Sequence, residues 1–376
     1  MATYYWVGGN GTWDNSNKTN WATVSGGAGG NGPPTSADTV NFDAASGTGT
    51  CTTASGSACA IATLNSSTLG VTLGANHTMS GTFTLTLGTL SLGSYTLSCN
   101  IFLSSNSNIR TISFGTGSIT LTGSNTTIWS TTTQTNFSYT GTPTVNCTYS
   151  GSTGTRTVNT GSNTELNSLN FNVTAGSDIF AISNAKNLNF TGFSGSFSNT
   201  TRNIFGSLTV SSSMTLTAGA NATTFAGTSG TQQITTNGKT LDFPLIFNGI
   251  GGTFAFQDAL TQGSTRAFTI TNGTIQLKNG VTSTVGSFVT SGTNQKYFQS
   301  TAAGSQATLS QASGTVGTSY LTIQDINATG GATWNSFYAN NNVDAGNNTN
   351  WNFGATPILG AEYTYKLRSF TQPRRF

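Results

Sequence analysis

The chain contains one strand–glycine–strand segment twice. Residues 268–277 read FTITNGTIQL and residues 83–92 read FTLTLGTLSL. Phe83 aligns with Phe268, Leu85 with Ile270, Gly88 with Gly273, Thr89 with Thr274, Leu90 with Ile275 and Leu92 with Leu277. After a slip of one residue the likeness continues, with Ser105, Ser107, Asn108 and Arg110 falling on Ser291, Thr293, Asn294 and Lys296. Each copy reads as two short strands broken at the glycine. Every second residue is apolar, and its neighbour is mostly Thr, Ser or Gln. A period of two marks a half-buried strand, and branching at Cβ suits Thr to a pleated surface. A duplicated unit of this kind constrains the fold towards a repeat architecture.

The remainder of the chain supports more of the same. Alternation recurs at Leu69/Val71/Leu73, Leu97/Cys99/Ile101/Leu103, Ile119/Leu121, Leu169/Phe171/Val173, Leu208/Val210 and Leu245/Phe247. Gly, Asn and Ser fill the breaks, as turns with unusual φ require. No window shows apolar residues at helical spacing. Only 6% of residues are charged and 10% are aromatic. Globular domains average about 25% charged, and disordered chains are usually charge-rich and aromatic-poor. The composition therefore predicts a strand-built rod with a surface of hydroxyls and amides.

The expected fold is all-β: a parallel β-helix, or β-solenoid, with an N-terminal β cap and an extended C-terminal tail. The alternative is a set of tandem β-sandwich or jelly-roll domains, which periodicity alone does not exclude. The solenoid is favoured by the 185-residue offset between copies, by the scarcity of proline (6 residues) and by Thr, Ser and Asn at repeating positions. Proline is expected to be rare where strands are internal to ladders. Coils of roughly 20–25 residues, on the order of 12–15 of them, predict a rod about 60–70 Å long. The expected layout is a Trp/Gly-rich cap over 1–50 and a β-helix over 51–354. Two related arrays, 51–150 and 200–354, flank a less regular middle, and a basic aromatic tail follows over 355–376.

Charge is unevenly placed. Residues 1–360 hold nine basic and nine acidic groups, so the net +3 resides in the last 16 residues. A neutral body predicts no specific nucleic-acid binding, since phosphate affinity comes from Lys and Arg. No apolar run approaches a membrane span, which predicts no membrane insertion. The opening MATYYWVGGNGTW lacks a secretory pattern, so folding in a cytoplasm is expected. Tyr363, Tyr365, Lys366, Arg368, Phe370, Arg374, Arg375 and Phe376 form the candidate anchoring surface, a basic aromatic stretch suited to docking on a neighbouring subunit or an acidic surface.

Candidate chemistry is sparse. Asp325 and Asp344 lie about one coil apart, and stacked they would approach the carboxylate spacing of retaining glycosidases. Their Asn/Gly turn context favours backbone capping instead. Asp242 and Asp258 are a weaker pair. His77 follows a Gly-Ala-Asn turn and reads as solvated. Cys51 and Cys59 bracket a Ser/Gly loop and are candidates for a disulfide after release from a reducing compartment; Cys99 reads as a small core residue. No zinc-ligand spacing is present, and Gly8-Gly9-Asn10-Gly11 precedes no helix and is no phosphate loop. The tryptophans of the head and ending read as cap core, with sugar stacking as the alternative for all six. No catalytic residue, metal or cofactor is expected.

Two stretches resemble known families. Trp6-Val-Gly-Gly-Asn-Gly-Thr-Trp13, Asn20-Trp21 and Ala37-Asp38-Thr39-Val40-Asn41-Phe42-Asp43 resemble the opening of autotransporter-like adhesin passengers and of some phage virion proteins. Ser319-Tyr320-Leu321-Thr322-Ile323-Gln324-Asp325, Gly330-Gly331 and Trp334, followed by Asn342 through Phe353, is similar to the ending of repetitive β-rich proteins of tailed phages. Residues 230–247 resemble that family too. The resemblance implies a virion structural protein, a tail fibre, spike or capsid decoration on the particle surface, assembled in the cytoplasm of a bacterial host and aiding host attachment. Homotrimers, contacts with other virion proteins through the tail, and a host surface glycan are the expected partners. A glycan-degrading tailspike and a bacterial cell-surface adhesin are the alternatives.

Overall fold

The computed structural model describes residues 1–124, 126–161, 164–165 and 168–354. These residues form a parallel β-solenoid of about 14 turns with essentially no helix. Two single turns of 3₁₀-helix, Ala44–Ser46 and Tyr338–Asn340, lie among them. At a strand spacing of ~4.8 Å the stack is about 65 Å long. None of the described helices is long and apolar enough to cross a membrane.

Each coil is three-sided. The first ladder runs from Thr3–Trp6 through Thr39–Phe42, Ile61–Asn65 and onward to Thr215–Leu216. It resumes at Thr240–Leu241 and ends at Ile326–Gly330, the join being marked by a Gly219 N–H to Asp242 carbonyl hydrogen bond of 2.8 Å. The third ladder is continuous from His77–Thr78 to Val343–Asp344. The second begins at Gly11–Trp13 and runs to Phe137–Thr140. Among the described residues it resumes at Asn184–Ala185. Step length varies: Leu97 lies over Ile119 and Phe171 over Leu188, steps of 22 and 17 residues.

The duplicated segments are corners. Each was expected to be two strands; each is one strand that turns through a glycine. Thr82–Ser91 pairs with the first ladder before Gly88 and with the second after it. Ala267–Leu277 pairs with the second ladder before Gly273 and with the third after it. The two copies thus occupy different corners, and the repeat shifts by one side between them. Gly88 has φ +105°, and a Cβ there would lie 2.2 Å from the Ser66 carbonyl oxygen, so the bend requires glycine.

Inward residues stack in files. Phe83, Phe102 and Trp129 lie 5.7 and 4.5 Å apart between ring centres, and Phe247, Phe268 and Phe288 lie 4.8 and 5.8 Å apart. Outward polar residues also stack like on like. Thr96 and Ser118 hydroxyls lie 3.3 Å apart, Thr271 and Ser291 lie 2.8 Å apart, and Asn172 Nδ2 donates to Asn146 Oδ1 at 3.0 Å. In the head, Trp21–Ala22 pairs antiparallel with Thr3–Trp6 and closes the first rung. Trp6 and Trp13 pack edge-on against Trp21 at 5.1 and 5.2 Å.

Candidate functional site

Much of the chain's charge is structural. Arg110, Arg156, Arg202 and Lys296 are buried. Arg110 donates to the carbonyls of Asn108, Thr133 and Thr135 at 3.0, 3.1 and 2.9 Å, and to Ser104. Lys296, its counterpart in the duplication, donates to the carbonyls of Gly292, Asn294 and Ser319 at 3.1, 2.9 and 3.3 Å. Arg156 forms a fork with Asp178 at 2.8 and 2.7 Å. Arg202 lies 3.7 Å over the Phe197 ring, and burial pulls its guanidinium down to about 9.

The acidic pairs do not assemble. Asp344 sits opposite Ile323 rather than Asp325. Asp325 is buried and accepts from Gly304 N–H at 3.0 Å and Asn347 Nδ2 at 2.6 Å. Asp344 accepts from Gly346 N–H and Asn348 Nδ2. Asp242 pairs with Arg266 at 2.7 Å, whereas Asp258 caps the Thr236 and Asn237 N–H groups. In the head, Asp14 and Asp38 accept backbone and hydroxyl hydrogen bonds that hold their carboxyls below the usual value. Asp43 accepts from Ala45 N–H. All nine described acids therefore bond to the protein itself.

One expectation needs correction, and the open question of a Cys51–Cys59 bridge is answered. His77 is buried, not solvated. It is the first inward residue of the third ladder, paired with Leu97 and packed 4.8 Å from Trp13. Its Nδ1 lies 3.0 Å from Ser57 Oγ and its Nε2 lies 3.7 Å from Cys59 Sγ. Burial lowers its pKa to about 4 and raises that of Cys59 to about 12, so both groups are uncharged at neutral pH. Cys51 and Cys59 are not bridged; all four cysteines are free and buried. Cys51 faces inward between Gly11 and Val71, and Cys59 bridges to Met79. The six tryptophans are all buried, and Trp334 among them lines a cleft, of about 420 Å3, beside Thr329 and Asn350.

Between Phe137–Thr140 and Asn184–Ala185 of the second ladder, described residues line a groove of about 690 Å3. Tyr139 and Pro143 line one end, Ser168, Lys186 and Phe205 follow from successive coils, and Thr228 lies at the other end. Glu165 reaches across 63 residues of sequence, its Oε2 accepting from Thr228 N–H at 2.9 Å and Oγ1 at 2.6 Å. Lys186 is exposed on the groove wall. The volume is that of a small-ligand site, and the lining offers one ammonium, one engaged carboxylate and several hydroxyls. Sequence reading missed this site because its residues come from five coils and share no motif.

The anchoring residues Tyr363, Tyr365, Lys366, Arg368, Phe370, Arg374, Arg375 and Phe376 lie outside the described residues. Compared with family models, curated proteins and solved structures, the chain matches none of them.

Proposed function

We propose that the chain is a non-enzymatic surface protein of a tailed-phage particle, a fibre, spike or decoration that projects from the virion and helps it meet its host. In this reading three rods bundle side by side, closed point-group symmetry being the norm for homo-oligomers. The basic aromatic tail docks on a neighbouring virion protein.

The observation that carries the reading is a stiff parallel rod of about 14 coils whose nine described acids all bond to the rod itself. Glycoside hydrolysis needs two carboxylates flanking one bond, whereas the groove lining includes Glu165 as its one acid. The hydroxyl and amide surface suits a protein that stays soluble with little charge. The test is mass spectrometry of purified particles, with antibody labelling of intact ones. The chain should be present and labelled; a chain confined to the lysate and absent from particles overturns the reading. The groove keeps a second reading open, a glycan-degrading tailspike. Shortened polysaccharide chains after incubation with purified protein would establish it in place of the first.

A further inference from the structure

The corner between the second and third ladders carries a shallow pit of about 110 Å3, distinct from the groove. Ile250 and Tyr297 wall it, and Asn272, Gly273 and Asn294 lie between them. Ile250 is 65% exposed and Tyr297 46%. Asn294 Nδ2 donates to Asn272 Oδ1 at 2.8 Å, and Asn272 Nδ2 donates to Asn248 Oδ1 at 2.6 Å. This head-to-tail chain leaves Asn294 Oδ1 as an acceptor and Asn248 Nδ2 as a donor with capacity to spare. Among the described residues no charged side chain lines the pit, because Lys296 turns inward to its carbonyls.

The duplication separates what the fold needs from what it does not. The two corners share the glycine (Gly88, Gly273), the buried cation (Arg110, Lys296) and the asparagine before it (Asn108, Asn294). Beside conservative exchanges such as Leu85 for Ile270 and Arg110 for Lys296, they differ in character at Leu87 against Asn272, Ile109 against Gln295 and Thr111 against Tyr297. Tyr297 also stands in an outward file that reads Thr231, Thr253, Thr274, Tyr297, Thr322 and, on the last coil, Val343. Threonine satisfies the fold at that position in four neighbouring coils and in the other corner. A half-exposed tyrosine there adds an apolar face that the solenoid does not use.

We propose that this pit binds one unit of a neutral saccharide, the apolar face of the sugar on the Tyr297 ring and its hydroxyls on the asparagine amides. A flat aromatic ring beside neutral donors and acceptors matches a pyranose, which presents C–H groups on one face and hydroxyls around its edge. The absence of charge in the lining selects neutral over acidic sugars. The pit is smaller than a drug-sized pocket, so each contact is weak and adhesion depends on several copies engaging at once. The proposal deepens the attachment reading and rests on it.

The test uses the full chain on an array of neutral oligosaccharides (glucose, galactose, mannose and N-acetylglucosamine oligomers) and acidic ones, with the Tyr297→Thr variant alongside. The wild-type chain should retain at least one neutral oligomer. Tyr297→Thr should lose that binding at least tenfold with an unchanged thermal midpoint, since the other corner folds with threonine there. Retention within twofold in the variant, a preference for acidic sugars, or no retained sugar each overturns the proposal. Adhesion to host cells separates the two claims. Equal adhesion by both forms leaves attachment standing and removes the pit; sugar binding without cell adhesion does the reverse.

Discussion

Arg110, Arg202 and Lys296 place positive charge inside the rod with no carboxylate in contact among the described residues. Carbonyl and hydroxyl oxygens at the corners solvate each cation, so the charge ties loops of successive coils together. Removing such a donor strands several buried acceptors. Arg110→Ala should cost about 3 kcal/mol or more, each stranded buried acceptor costing about 1–3 kcal/mol, whereas Arg110→Lys should cost less than ~1.5 kcal/mol because Lys296 does the same job at the other corner; urea unfolding measures both. His77 makes the head acid-sensitive. Its pKa falls from 6.5 unfolded to about 4 folded, so the unfolded chain binds the proton first. Stability is therefore full above pH 6.5 and is lost as pH falls towards 4, by about 3 kcal/mol. His77→Gln should flatten that slope in denaturation followed by tryptophan fluorescence, leaving the carboxylate losses at lower pH. The equivalence of Arg110 and Lys296 was visible in the sequence, but their burial was not, because basic side chains are rarely fully buried. His77 was misread because its turn context outweighed the alternation of His77 and Met79 into the core.

The alternating apolar residues settled the strands, and the glycine in each duplicate marked a real break in direction. What alternation does not encode is where a strand changes ladder. Gly88 and Gly273 lie inside strands that hydrogen-bond on both sides of the bend, so the corner is a property of φ rather than of hydrophobicity. Gly88→Ala should destabilise by more than about 2 kcal/mol, from the positive φ together with the carbonyl contact. Gly280→Ala, with φ +70° but nothing within 4 Å of the added methyl, should cost only about 1 kcal/mol. The difference between the two thermal midpoints is the measurement. The groove was illegible for a related reason. Its described lining, from Tyr139 to Thr228, is drawn from five coils, and residues so far apart in sequence leave no periodic signal.

At the scale of the whole molecule, stability is set at the ends. Interior coils are paired on both sides, but a terminal rung exposes unpaired N–H and carbonyl groups that recruit other chains. Here Trp21–Ala22 runs against the stack, and the buried tryptophans of the head close over the first coils. A chain lacking residues 1–50 should therefore self-associate through the edge of Ile61–Asn65, appearing as large species in size-exclusion chromatography, while the full chain stays discrete. The offset between the duplicated corners has its own consequence. One copy faces a different direction from the other because the intervening coils advance the pattern by a side. Further copies inserted with the same offset would spiral around a longer rod, so that a surface feature carried by each would be offered to all sides in turn rather than along a single line.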